Sequence, residues 1–166
     1  MAVRYKVVPP VRDVAFLRAV AGAVPLVPGS VEDCCTRIRD RTEVPARDDA
    51  REWLTFCTAL GLTAETDRGY HRVREGPDRE ALAGNFRERV LGAREVLSAV
   101  GAEGPLEVEG ALQAVRPVVP RWERSRHADW EAEWRERTAR LLGWGAELGL
   151  LTRGEEGYRL ADARRR

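Results

Sequence analysis

The sequence predicts a mainly helical α+β fold built from two similar units in tandem, each with three helices followed by a β-hairpin. When the chain is aligned with itself at an offset of 88 residues, "LGLTAETDRGY" (60–70) falls on "LGLLTRGEEGY" (148–158) without a gap. Six positions are identical between segments 51–72 and 139–160, whereas roughly one or two would be expected at ordinary residue frequencies. Before each copy, apolar residues recur at helical spacing. The repeat therefore predicts a duplicated structural unit.

Three helices are predicted in the first unit, residues 1–75. The first lies within 11–23, and Ser30 caps a second within 31–42 after the break at "PLVPGS". Pro45 separates the second helix from a third that ends near Leu60. Apolar residues at three- and four-residue steps predict the inward sides: Val14, Leu17, Ala21, Cys34, Cys35, Ile38, Ala50, Trp53, Leu54, Cys57 and Leu60.

A hairpin is predicted to close the first unit. Gly61 is suited to a left-handed helix stop, after which "LTAET" can run extended. The letters "DRG" predict a turn, and "YHRV" predicts a returning strand whose Tyr70 packs inward.

The second unit, residues 76–162, repeats this order with an insertion. One long helix is predicted from Asp78 to "GAEG" (101–104), and a second within 105–119 ends near Pro117 and Pro120. A third runs from about "ADWEAEW" to Leu148 and leads into the final hairpin. About a dozen extra residues around "RWERSRHADWEA" precede this third helix. The tail "ADARRR" is expected to fray.

Composition excludes several classes of function. The 166 residues are 43% apolar and 33% charged, with a formal net charge of +1, so no bulk basic field indicates a partner. No apolar run reaches the roughly 18 residues of a membrane helix, and no signal-peptide pattern is present, so a cytoplasmic protein without a membrane partner is expected. The three cysteines are predicted to fill the core.

The endings "ALGLTAE…RGY" and "ELGLLTR…EGY" resemble those of winged helix-turn-helix domains, in which a third helix passes through glycine into the wing. The resemblance covers nearly the whole chain and implies either DNA binding or protein assembly. The segments "PLVPGSVEDCCTRIRDRTEV" and "RDDAREWLTFCTALGL" are also similar to small uncharacterised proteins of haloarchaea, a similarity that brings no activity with it.

A DNA-binding site is predicted on the third helix and wing of the first unit, because the third helix of a helix-turn-helix enters the major groove. The helix side opposite the core carries side chains that can reach bases or phosphates, and the wing adds residues that could follow the backbone. The predicted DNA-binding residues are Arg47, Arg51, Thr55, Thr58, Arg68, His71, Arg72 and Arg74. Asp48, Asp49 and Glu52 weaken the positive field, and protein contact or plain surface is the alternative.

The equivalent stripe of the second unit predicts an interface of another kind. An offset of 88 gives Arg135, Ala139, Gly143 and Ala146, a nearly bare surface on which a helix of the first unit or of a second copy could lie closely. In the insertion, Arg121, Arg124 and Arg126 are candidate phosphate contacts or part of a salt-bridged helix start. Trp122 and Trp130 either cap the insertion onto the core or anchor a partner.

Catalysis finds little support in the sequence. It contains no phosphate-binding glycine loop, no HExxH, no paired CxxC and no nucleophile elbow, and neither histidine stands near a nucleophile. We therefore expect a non-catalytic protein without cofactor or metal that binds double-stranded DNA in transcription control, with the second unit serving a homodimer or intramolecular packing. The alternative is a protein-protein adaptor of tandem winged helices, and the weakest is an enzyme subunit that uses His127.

Overall fold

The computed structural model describes residues 4–126 and 128–161, and its internal contacts divide the chain into two compact units, Met1–Val90 and Leu91–Arg166. The first unit contains α1 (Val14–Ala23), α2 (Val31–Arg41), α3 (Arg47–Ala59), β1 (Thr63–Thr66), β2 (Gly69–Arg72) and α4 (Arg79–Arg89). The second contains α5 (Ala93–Glu103), α6 (Val108–Val115), a 3-10 turn (Arg116–Val118), α7 (Arg121–Arg126), α8 (Trp130–Glu147), β3 (Leu151–Gly154) and β4 (Gly157–Leu160). The predicted fold class is confirmed.

Helices α1, α2 and α3 pack on one another around an apolar core in the first unit. Ser30 caps α2 as predicted, since its hydroxyl accepts a hydrogen bond of 3.0 Å from the Asp33 backbone N–H. Asp13 caps α1 in the same way, through the Phe16 N–H at 2.8 Å. Nearly all the predicted inward residues of the three helices are buried, including the three cysteines; Val14 is half-buried.

The repeated letters Leu-Gly-Leu end the third helix of each unit in the same manner. Gly61 has φ +85° and Gly149 has φ +80°, the left-handed conformation that glycine adopts without strain. The N–H of Leu62 then bonds the Cys57 carbonyl at 2.9 Å, and the N–H of Leu150 bonds the Gly145 carbonyl at 2.8 Å. This six-to-one bond is that of a Schellman motif, which satisfies carbonyls at the helix end.

A third strand segment, which the sequence did not reveal, pairs with each hairpin. In the first unit Gly29, in the loop between α1 and α2, exchanges two backbone hydrogen bonds with Tyr70, of 2.8 and 2.9 Å. In the second, Leu106 does the same with Tyr158, at 3.0 and 2.8 Å. The loop that follows the first helix is therefore both a connection and a β-bridge to the wing.

The glycine of the repeated Gly-Tyr pair is required by this bridge. A Cβ atom on Gly69 would lie 2.2 Å from the Gly29 carbonyl oxygen, and one on Gly157 would lie 2.5 Å from that of Leu106. Both glycines also have positive φ, at +123° and +121°. The glycines of the repeat are thus explained by two features that both units share: the left-handed end of the third helix and the β-bridge to the wing.

The predicted long helix of the second unit was wrong. The chain leaves helical conformation after Arg89, and Val90 is extended and bridged to Tyr5. Gly92 then takes φ +92° before α5 begins. Helix α4 instead belongs to the first unit: the Asn85 side chain donates 2.8 Å to the Leu60 carbonyl. The structural division therefore falls after Val90, later than the expected boundary after residue 75.

The insertion before the last helix forms a helix of its own, α7, where the sequence left open a loop or a helix start. The chemistry considered for His127 and the expected fraying of 162–166 concern positions outside the described residues. Among the helices that the structure describes, none combines the length and the apolar character needed to cross a membrane.

Candidate DNA-binding surface

Arg51 occupies the middle of the open side of α3. Its side chain is exposed, and it forms no ion pair or side-chain hydrogen bond with the residues in 4–126 and 128–161. Thr55 lies one turn further along the helix and is half-buried. The core side of α3 holds Trp53, Leu54 and Cys57, so the helix presents its polar side outward as the spacing predicted.

Arg47, at the start of α3, is committed to a neighbouring helix. Its Nε lies 2.8 Å from both carboxylate oxygens of Glu32 on α2, and an Nη nitrogen also contacts Glu32. A second Nη lies 3.5 Å from Asp48. The hydrogen bond from Arg47 lowers the pKa of Glu32, and the same bond raises the pKa of Arg47. The sequence did not reveal that this predicted DNA contact is already paired.

The second unit repeats this ion pair. Arg135, at the position equivalent to Arg47, contacts Glu109 near the start of α6 through Nε, and through Nη2 at 3.5 Å. The hydrogen bond to Glu109 raises the pKa of Arg135. A pair present at the same place in both units joins the second helix to the third, so Arg47 and Arg135 both have a bracing role in the fold.

Thr58 faces the wing, unlike the rest of the predicted stripe. Its hydroxyl lies 2.8 Å from the hydroxyl of Thr63 on β1 and donates to the Leu54 carbonyl at 2.9 Å. Thr63 is itself only 2% exposed. Because the Thr58 hydroxyl is engaged inside the unit, its structural role is to join α3 to the wing.

The predicted wing residues divide between two faces of the hairpin. Arg72 pairs with Thr63 in the antiparallel register, so both side chains lie on the face toward α3. His71 pairs with Ala64 on the opposite face, and its Nδ1 lies 3.1 Å from the Arg72 carbonyl. Arg68 is exposed at the tip of the wing, and Arg74 is exposed beyond β2. The structure therefore does not bring all eight predicted residues onto one surface.

An open depression lies on the outer face of the wing. It encloses about 400 Å³ and is lined by Leu26, Pro28, Thr66, Asp67, Arg68 and His71. Arg68 and His71 border this depression, whereas Arg51 lies on α3. The wing residues and Arg51 would therefore contact different parts of a bound DNA.

The surroundings of Tyr70 on the wing are a feature that the sequence did not reveal. Tyr70 stands opposite Glu65 in the antiparallel register, so the two side chains share one face of the hairpin. Burial raises the pKa of Tyr70 to about 12; the neighbouring Glu65 carboxylate adds to this shift, and the positive charge of Arg51 opposes it. Tyr70 was predicted only as an inward-packing residue. The alignment of the two units could have shown that the surroundings of Tyr70 and Tyr158 differ, because Arg153 of the second unit aligns with Glu65.

Tyr70 is expected to ionise about two pH units above an ordinary tyrosine, from about 10 to about 12. The raised pKa means that the folded state favours the neutral phenol, so this contribution to stability is complete below pH 10 and is lost as the pH rises toward 12. An absorbance titration of the phenolate, as the difference between the protein and Tyr70→Phe, measures this midpoint. A difference curve centred near pH 10 would contradict the burial of the Tyr70 phenol beside Glu65.

The open side of α8 differs chemically from that of α3. Ala139 is exposed, and Gly143 and Ala146 are half-exposed, where α3 carries Arg51, Thr55 and Thr58. On the wing, the Arg153 guanidinium lies 5.6 Å from the centre of the Tyr158 ring. The second unit thus has a bare helix beside an arginine-bearing wing, so its surface offers few groups that could read base edges.

Two units that each join a three-helix core to a β-hairpin wing define a tandem winged helix-turn-helix protein. The family model of the halobacterial double winged helix domain matches residues 3–165, and the chain belongs to this family. The predicted resemblance to winged helix-turn-helix and haloarchaeal proteins is thereby confirmed. Comparison with curated proteins and with solved structures gives no match. Membership in a winged helix family is compatible with a DNA-binding or regulatory role, and such domains are typically non-catalytic.

Proposed function

We propose that the protein is a non-catalytic DNA-binding protein that acts in transcription control, and that α3 and the wing of the first unit contact double-stranded DNA. The observation that carries the proposal is the exposed Arg51 in the middle of the open side of α3, without an ion pair to any carboxylate in the described part of the chain. An arginine at this place on a third helix can reach guanine edges or phosphates in the major groove.

The proposal depends on only some of the eight predicted DNA-binding residues. Arg51 and Thr55 are the proposed contacts on α3, whereas Arg47 would have to give up Glu32 before it could bind a phosphate. On the wing, Arg68 at the tip and Arg74 beyond β2 are exposed and are the proposed backbone contacts. Arg72, on the face of the hairpin toward α3, is a further proposed backbone contact.

We assign a different role to the second unit. Ala139, Gly143 and Ala146 replace the polar stripe of α3, and small side chains let another helix approach α8 closely. The proposed use of this surface is a homodimer contact or a contact with a protein partner, with Arg135 at its edge held by Glu109.

The second candidate is a protein-protein adaptor that binds no DNA. The observation in its favour is charge: Asp48, with an almost fully exposed side chain, neighbours Arg47 on α3, and the whole chain carries a net charge of only +1. DNA binding by such a protein must depend on a few well-placed arginines, whereas an adaptor needs none.

The test is duplex binding by the protein and by the double variant Arg51→Ala with Arg72→Ala, over a series of salt concentrations. Each lost phosphate contact lowers the slope of log K against log salt by about 0.9, so the double variant is expected to lose up to about 2 in slope. Loss of the two contacts should weaken binding by roughly tenfold or more.

The matched control removes two arginines that lie outside α3 and the wing, Arg12 before α1 and Arg87 on α4. This variant has the same net charge as the first but should retain the duplex affinity and most of the slope. Equal binding by the Arg51/Arg72 variant and the protein would refute the proposed surface. If the unaltered protein binds no duplex even at low salt, that result would instead support the adaptor.

A further inference from the structure

Helix α7 is attached to the second unit through Glu123 and Arg124. Glu123 is 2% exposed, and its carboxylate accepts a hydrogen bond of 2.7 Å from the Trp134 indole N–H on α8. Arg124 donates to the Arg116 carbonyl, and its guanidinium lies 5.2 Å from the centre of the Trp130 ring. Arg116 also lies near that ring, at 5.4 Å, so two arginines contact Trp130. These contacts fix the orientation of α7 in its unit.

The other side of α7 carries two arginines and a tryptophan. At about 3.6 residues per turn, Arg121, Trp122, Ser125 and Arg126 lie together, away from Glu123 and Arg124. All four are exposed. Neither Arg121 nor Arg126 forms an ion pair within the described ranges, and the one carboxylate of the helix, Glu123, is buried. We name these four residues the α7 face, a surface with positive charge and no negative charge.

Trp122 distinguishes the α7 face from an ordinary basic surface. It is 53% exposed, whereas Trp53, Trp134 and Trp144 are buried and Trp130 is half-buried. About half of the Trp122 surface is therefore open to a bound molecule. An exposed indole between arginines can stack on a nucleobase while the arginines meet the flanking phosphates.

We propose that the α7 face binds single-stranded nucleic acid, with Trp122 stacked on an unpaired base and Arg121 and Arg126 on the phosphate backbone. The face of a base is open to an indole only where the base is unpaired, which favours a single strand over a duplex. This site is separate from the duplex contacts proposed for α3, because it lies on the other unit and uses no residue of the first.

Tryptophan fluorescence measures this binding directly, with an oligothymidine of about 12 nucleotides as the probe, within the usual size of such sites. Stacking should quench the emission of Trp122, the most exposed tryptophan among the described residues. Trp122→Ala should remove this quenching and weaken oligothymidine binding, followed by anisotropy of a labelled strand, by roughly tenfold. Trp122→Phe should retain most of the affinity because phenylalanine also stacks.

The charge requirement is tested by Arg121→Ala with Arg126→Ala, which should lower the salt slope for oligothymidine by about 1.4, or about 0.7 per contact. Its control is Arg159→Ala, an exposed arginine on β4 that pairs with Glu156 at 3.2 Å. The control should bind as the unaltered protein does.

Two results would overturn the proposal. The first is unchanged oligothymidine binding by Trp122→Ala, provided that its circular dichroism and thermal midpoint match those of the protein. The second is an equal loss of duplex and oligothymidine binding in that variant, which would show a backbone contact without stacking. The Arg51/Arg72 variant should still bind oligothymidine, so failure of the duplex proposal and failure of this one give different results.

Discussion

Gly69→Ala is expected to lower the free energy of unfolding by about 2 to 4 kcal/mol. The new Cβ would stand 2.2 Å from the Gly29 carbonyl oxygen, which belongs to backbone and cannot rotate away. The residue would also have to keep φ +123°, which L-residues with a side chain rarely adopt. The loop between α1 and α2 must therefore leave β2, with loss of the two Gly29–Tyr70 hydrogen bonds. Urea unfolding followed by circular dichroism measures the change.

Gly84→Ala is the matched control for this substitution. Gly84 lies inside α4, and nothing stands within 4 Å of the Cβ position. Alanine there should raise the free energy of unfolding by about 0.5 to 1 kcal/mol, because it restricts the unfolded chain and favours helix. If Gly69→Ala proved as stable as Gly84→Ala, the β-bridge between the loop and the wing would not exist in solution.

Trp134→Ala is expected to cost about 3 to 5 kcal/mol, the range for removal of a large buried aromatic side chain. Trp134 is 1% exposed, so the substitution leaves a cavity, and it also takes from the buried Glu123 its indole N–H donor. Because this contact attaches α7 to α8, the insertion should lose order together with the core. The thermal midpoint and the amide exchange of α7 report these two effects separately.

The control uses the same substitution at an exposed site. Trp122→Ala removes an indole that is 53% exposed on the neighbouring helix, and should cost about 1 kcal/mol or less, well below the loss at Trp134. A similar loss in both variants would be inconsistent with the orientation of α7 described above.

Much of the fold could be predicted because its determinants are local. Ser30 caps α2 through a contact three residues away, and Gly61 ends α3 through bonds within one turn, so short patterns are sufficient to recognise both. The duplication made the prediction stronger, since Gly149 had to satisfy the same requirement with different neighbours. The resemblance to winged helix-turn-helix domains rests on the same helix endings, at Gly61 and Gly149.

The remaining features depend on contacts between residues that are distant in sequence. The apolar period continues from α4 into α5, and only the Val90 bridge to Tyr5 and the φ of Gly92 show that the helix breaks there. The Glu32–Arg47 pair joins two helices, so helical spacing alone identified Arg47 as an open side chain. In the same way, Thr58 was predicted on the open side because its partner, Thr63, lies on the wing.

The repeated ion pair forms across segments of different length. Glu32 and Glu109 are 77 residues apart, whereas Arg47 and Arg135 are 88 apart, so the second unit has eleven more residues between its paired positions than the first. The pair is nevertheless formed in both copies. The joint between the second and third helices therefore does not depend on the length of chain between them, and the second unit accommodates α7 in that segment.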